Sequence, residues 1–333
     1  MTRLAVAALF ALLSAPVPVQ AQQDKPRIVL GYAKCAHCFS MVLAPGLAEK
    51  VTIETVGFNT ASDVLTALVS KSIDVAQVTY LHFVAALDKG FDVVAISGHI
   101  NGGSDILVQS GITLAGEDWP GLKRLAADRK AHGHPLRVAA SRGSAQDVHM
   151  RGELSLNGID VARDVQFVNI PNPADHAAAL QHNEVDVICT VEPFASQIRL
   201  AGTGRSFALP YHQASGTLTG LIVTRSDVVN RRPDDVRDTV AAVVKLVDKI
   251  EHDPQTWVDV IVRQTGLDRP IAQAALNNLY PDYRMYRGTT IAIARMMKGL
   301  RYVSRDVTAD IEGHMDYRFL AEATKKEKGD IGY

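Results

Sequence analysis

Aromatic residues are scarce: two tryptophans, nine tyrosines and nine phenylalanines in 333 residues. So few rings leave little from which to build a stacking platform for single-stranded nucleic acid. An excess of either charge is also missing. Thirty-five Lys and Arg stand against 36 Asp and Glu, a net charge of −1, so the chain has no basic face and no nucleic-acid partner is expected. Cysteine is limited to Cys35, Cys38 and Cys189. In an exported protein an odd count leaves at least one without an intramolecular partner. Beyond the N-terminus no stretch reaches the roughly eighteen unbroken apolar residues of a membrane helix. Walker, GxGxxG, GxSxG and HExxH patterns are missing, as is any Ser/His/Asp signature. No enzymatic activity, catalytic residue or cofactor is therefore expected.

What is present begins with a leader pattern. Met1-Thr2-Arg3 precedes an apolar run from Leu4 to Ala15, Pro16 and Pro18 break it, and Val19-Gln20-Ala21 offers small residues for cleavage. This is the layout of a secretory signal peptide, residues 1–21, and it predicts an exported, periplasmic protein. The remaining chain, from a sequence 47% apolar and 21% charged overall, has material for two lobes.

A segment of the chain is written twice. VTIETVGFNTASDVLTALVSKSIDVAQVTY ends at Tyr80, and VQFVNIPNPADHAAALQHNEVDVICTVE ends 112 positions later at Glu192. Each copy has an Ala-Leu pair (Ala67-Leu68, Ala179-Leu180), a polar turn, and a strand opened by Ile73-Asp74-Val75 or Val185-Asp186-Val187. A period this long is too large for a solenoid and predicts two equivalent α/β lobes. Tyr80 and Glu192 would then face each other across one cleft. Arg27–Tyr32, Val93–Ser97, Asp105–Gln109 and Leu136–Ala140 read as further strands, mostly in parallel sheets, and Thr217–Thr224 as the strand returning to the first lobe. Val236, Val240, Val243, Val247 and Ile250 form one apolar helical stripe near the C-terminus.

Ser141-Arg142-Gly143-Ser144-Ala145 joins a strand to a helix. Free N–H groups at a helix start make an anion site, and Gly143 permits close approach of a ligand; plain N-capping by Ser144 is the competing reading. Cys35-Ala36-His37-Cys38 follows the first strand and has three readings: a disulfide or redox pair, a soft-metal site with Met41, or a ligand-lining loop. No second Cys or His pair at zinc spacing accompanies it, which favours lining or disulfide over metal. Cys189 reads as a small buried hydrophobe, the alternative being a reach towards the Cys35 loop. His37, His82 and His99 lie near strand ends as pocket candidates, whereas His132, His134, His176 and His182 read as exposed. Glu192-Pro193 opens a helix, and Glu192 either complements its dipole or accepts from a ligand donor.

These features together resemble the periplasmic substrate-binding proteins of ABC importers, in the nitrate/sulfonate/taurine and thiamine-precursor group. The likeness covers roughly Arg27 to Ala323. It is carried by the leader, the Ala33–Cys38 loop, the doubled A-L-x4-[IV]-D-V unit, the Gly143-Ser144 turn and Glu192-Pro193. It implies a type II periplasmic-binding-protein fold: two α/β lobes, a ligand cleft and two hinge crossings, near Gln109–Gly111 and Pro210–Thr217. Lobe I would comprise 22–110 and 217–333, lobe II 111–216. The implied ligand contacts are Cys35, His37, Phe58, Asn59, Thr79, Tyr80, Ser141, Gly143, Ser144, Ala145, Thr190, Glu192 and Thr217. The implied partners are a small-molecule solute and a membrane permease, with the receptor a monomer. Where sulfonate binders carry His after the Gly-Ser turn, this chain has Asp147. The expected solute is sulfonate- or taurine-like, its anion at Ser141–Ala145 and its donor end near Glu192. A thiamine-pyrimidine precursor, a metal or chelate at Cys35, His37 and Cys38, and an enzyme on the same scaffold are the alternatives.

Overall fold

The computed structural model describes residues 25–333, so the predicted leader at 1–21 lies outside the described residues. Two sheets organise the chain. The strands in chain order are β1 (Arg27–Ala33), β2 (Thr52–Phe58), β3 (Val75–Thr79), β4 (Val93–Gly102), β5 (Ser104–Gln109), β6 (Arg137–Ala140), β7 (Gln166–Asn169), β8 (Val187–Val191), β9 (Gly204–Ala208), β10 (Gly220–Arg225) and β11 (Leu279–Asp282). The first sheet runs β11-β4-β10-β3-β1-β2 and the second β7-β6-β8-β5-β9. Helices cover both, and the long C-terminal helices close over the first. The predicted stripe of Val236, Val240, Val243, Val247 and Ile250 is buried along the helix Pro233–His252.

The doubled sequence is a doubled structure. β1 is parallel to β2 and β3, and β6 is parallel to β7 and β8, with Leu30 opposite Val75 and Val138 opposite Val187. The repeated Asp does the same work in both halves. The Asp74 N–H donates to the Val29 carbonyl at 2.9 Å, and the Val29 N–H donates to the Asp74 carboxylate at 2.9 Å. Asp186 and Arg137 exchange the same two bonds at 2.9 and 2.8 Å. Each Asp thus pins its strand to the central strand of its lobe. Alanine at either position should cost about 1.5–3 kcal/mol in urea unfolding, because a backbone donor loses a charged acceptor. Asp186 should cost more, since Arg129 and Arg137 also pair with it; equal, negligible losses would refute this reading of the repeat.

Two expectations need correction. The sheets are mixed, because β10 is antiparallel to β3 and β4, and β5 is antiparallel to β8 and β9. Asp105–Gln109 therefore belongs with the second sheet, and the first crossing lies at Gly102–Gly103 rather than Gln109–Gly111. Both glycines are left-handed, with φ of 81° and 85°. A Cβ on Gly102 would stand 2.4 Å from the Asn278 carbonyl, so only glycine fits this turn. The return crossing lies between β9 and β10, and the Gly102 N–H donates to the Thr217 carbonyl at 2.7 Å, which ties the two crossings together. No helix among the described residues is long and apolar enough to cross a membrane.

Candidate functional site

The C-terminal ends of the parallel strands of both lobes converge on one cavity, the place where open α/β sheets bind ligands. After β1 come Ala33, Lys34, Cys35, His37 and Cys38; after β2, Asn59, Thr60 and Ala61; on and after β3, Gln77, Val78, Thr79 and His82. The second lobe adds Ser141, Ser144, Ala145 and Gln146 after β6, Pro171 and Pro173 after β7, and Val191 at the end of β8. The enclosed space is about 60 Å³. At roughly 10–15 Å³ per water, that holds about four to six water-sized atoms.

The first-lobe wall is fixed from several directions. Cys35 and Cys38 form a disulfide across the start of the helix Ala36–Phe39. The buried Trp257 indole N–H donates to the Ala36 carbonyl at 2.8 Å, and the Ala36 N–H donates across the cleft to the Glu192 carbonyl at 2.8 Å. Cys189, by contrast, is buried in the second-lobe core, where burial pushes its thiol well up; it makes no approach to the loop.

Charge in the cavity is sparse and of one sign. Lys34 is the lysine of the lining, and its ammonium donates to Asn59 Oδ1 at 2.9 Å. Burial lowers His37 and His82 to about 4, so both rings are neutral at pH 7. His82 Nδ1 lies 2.8 Å from Thr79 Oγ1 and Nε2 lies 3.3 Å from Ser62 Oγ. Gln77 presents a buried Oε1 without a hydrogen-bond partner. No carboxylate is among the lining residues.

The second-lobe wall is the start of the helix Ala145–Leu156. Ser144 is its N-cap, accepting the Asp147 N–H at 3.3 Å, which leaves the hydroxyl hydrogen free. The N–H groups of Ala145 and Gln146 have no intrahelical acceptor and carry the positive end of the helix dipole. Capping and an anion site are thus compatible here. Asp147 does not spoil the site, because its buried carboxylate accepts from the Gly143 N–H at 2.9 Å, the Arg151 guanidinium at 2.8 Å and the Tyr302 hydroxyl.

Of the residues expected at the ligand, Cys35, His37, Asn59, Thr79, Ser141, Ser144 and Ala145 line the cavity. Six do not. Tyr80 is fully buried and its hydroxyl donates to the Arg284 carbonyl at 3.3 Å. Glu192 is fully buried, pairs with Arg199 at 2.7 Å and accepts the Ser196 N–H at 3.0 Å. In both repeats the residue one position earlier, Thr79 or Val191, faces the cavity instead, since successive strand residues alternate sides. Phe58 packs on the first-lobe core. Gly143 spends its N–H on Asp147, and Thr190 Oγ1 lies 2.6 Å from His176 Nδ1. Thr217 sits at the interlobe crossing.

His176 corrects another expectation. It is buried, with Nε2 3.0 Å from the Ile170 carbonyl, and supports the wall from behind. His99 is also buried, its Nε2 3.0 Å from Ser40 Oγ, outside the lining. Gln77 and Gln146 were missed as site residues. A glutamine inside an otherwise apolar strand was the available signal for Gln77.

Comparison with known proteins agrees with this architecture. The NMT1-like family model matches residues 21–261. The nitrate/nitrite binding protein NrtA of Synechococcus elongatus is 36% identical over 80 residues, a match spanning 24% of this chain and only 18% of that protein. Among solved structures, the periplasmic nitrate-binding protein NrtA of Synechocystis PCC 6803 aligns with a TM-score of 0.77 at 15% identity, over 91% of this chain and 89% of that one. The alkanesulfonate-binding protein SsuA of Xanthomonas axonopodis pv. citri, bound to MOPS, aligns with a TM-score of 0.72 at 19% identity, over 88% of this chain and 99% of that one. At these identities the likeness establishes the periplasmic-binding-protein fold.

Proposed function

From its membership of the NMT1-like family, to which the chain belongs, and from the cavity between its lobes, we propose a solute receptor of an ABC importer rather than an enzyme. The receptor works outside the cytoplasm, exported by the leader at 1–21, and hands its solute to a membrane permease. The solute is a small monoanion of nitrate or short-alkanesulfonate size. One observation carries this reading: the cavity combines one lysine, an open helix N-terminus and neutral polar groups, with no carboxylate.

A single negative charge suits one lysine and one helix dipole. The nitrate- and sulfonate-binding relatives support that class. Taurine fits less well than first expected. Its ammonium was to meet Glu192, and Glu192 is already paired with Arg199. In the cavity that ammonium would find Lys34 and no acceptor charge. An aminopyrimidine faces the same shortage of carboxylate.

Titration calorimetry with nitrate, methanesulfonate, ethanesulfonate, taurine and an aminopyrimidine tests the assignment. One or more of the three simple anions should release binding heat, and taurine should bind at least about tenfold more weakly than ethanesulfonate, a difference of about 1.4 kcal/mol. Heat from the aminopyrimidine alone, with none from the anions, would overturn it.

A further inference from the structure

The disulfide wall of the cavity holds donor chemistry that anion binding leaves unused. Cys35 Sγ, Cys38 Sγ and a ring nitrogen of His37 all lie within 4.8 Å of one another, and all three residues are buried. We propose that, once its disulfide is reduced, the Cys35-Ala36-His37-Cys38 loop binds cuprous copper through two thiolates and one imidazole.

Geometry comes first. Ligands about 2.0–2.3 Å from a common metal stand roughly 3.5–4 Å apart, and the spread of these donors is compatible with that spacing. His37 Nε2 lies 3.2 Å from Cys35 Sγ. The loop backbone is held independently of the S–S bond. Trp257 holds the Ala36 carbonyl, Glu192 the Ala36 N–H, and Ser40 Oγ donates to the His37 carbonyl at 2.7 Å. Reduction therefore leaves the donors in place.

The state of the His37 ring is the second, independent observation. The side chain is 2% exposed, Nδ1 has no hydrogen-bond partner, and Nε2 meets only a disulfide sulfur, a weak acceptor. A buried imidazole with so little compensation is costly, and a metal bond at Nε2 would replace its weakest contact. Three donors favour copper(I) over zinc. Soft thiolates select cuprous ion, whereas a structural zinc site closes with four ligands, and the cluster contains three His, Cys, Asp or Glu residues.

The chemistry balances with a dithiol reductant. It transfers two electrons and two protons to the S–S bond, giving two Cys thiols while itself becoming a disulfide. Copper(I) then displaces the thiol protons to solvent as the Cu–S bonds form. The proposal does not rest on the solute assignment, because the test uses copper alone and the anion titration uses the oxidised protein.

The full mature chain would be reduced with dithiothreitol, desalted anaerobically, and titrated into the coloured bicinchoninate–copper(I) complex. Reduced wild type should withdraw about one equivalent of copper per chain. The oxidised protein and Cys35→Ser/Cys38→Ser should withdraw none, His37→Ala should hold copper more weakly, and Cys189→Ala should match wild type. Circular dichroism follows the fold on reduction. Failure of reduced wild type to take copper, unfolding on reduction, or equal uptake by the double serine variant would each overturn the site.

Discussion

Arg199→Met should cost about 3–5 kcal/mol of stability at pH 8, the penalty for stranding buried charge, and much less at pH 5. Arg199 reaches between two carboxylates that water scarcely touches. Its guanidinium bonds Asp105, which is 1% exposed, and pairs with Glu192 at 2.7 Å, which is fully buried. Ser206 donates to the other Asp105 oxygen at 2.7 Å, and the Ser196 N–H to Glu192 at 3.0 Å. One cation thus serves two anions.

Burial drives Asp105 up to about 7, outweighing the pull of Arg199 and the Ser206 bond, and burial raises Glu192 as well. A carboxyl whose folded value lies above the unfolded value of about 3.9 binds more protons when folded. Its contribution to stability is complete below about pH 4 and is lost as pH rises towards 7. Wild type should therefore lose stability across that window. Without Arg199 nothing offsets the burial of either carboxylate, and the slope should steepen. Asp105→Asn should flatten it, with the amide oxygen accepting from Arg199 and the amide nitrogen donating to Ser206. Urea titrations at pH 5, 6, 7 and 8 measure all three profiles, and an Arg199→Met protein as stable as wild type at every pH would contradict the account.

The same pair shows what the sequence could and could not disclose. The repeat was legible because a two-residue strand alternation, an Ala-Leu pair and an Asp at a fixed place recur together, and physics reuses them: Asp74 and Asp186 hold their strands identically. Fold class and the strand ends that meet at the cleft followed from that. The side of each chain that faces the cleft did not. A one-residue slip in a strand turns a side chain from cavity to core, and so Thr79 and Val191 stand where Tyr80 and Glu192 were expected. Arg199 lies seven residues past Glu192 on the following helix, and nothing in a linear reading binds it to Asp105, 94 positions earlier. His176 fell to the same difficulty. Its surroundings, Thr190 and the Ile170 carbonyl, are assembled only by the fold.

Ala145→Leu should abolish solute binding, lowering affinity at least about 100-fold, or about 2.7 kcal/mol, while the protein stays folded. Ala145 is 2% exposed and sits at the first position of the helix that supplies the free N–H groups. Leucine adds three carbons to a cavity of about 60 Å³, which holds about four to six water-sized atoms. The branched end would cover the N–H groups of Ala145 and Gln146, the donors that a monoanion needs. Stability should change little, because leucine is a good helix former and its added atoms enter open space. Ser144→Ala makes the contrasting case. It removes the helix cap and one donor hydroxyl but leaves the cavity open, so it should cost about 1 kcal/mol of stability and only a fraction of the affinity. Calorimetry and thermal melts on the two variants separate volume from capping. Undiminished binding by Ala145→Leu would place the solute elsewhere on the protein, whatever the fold around this cavity.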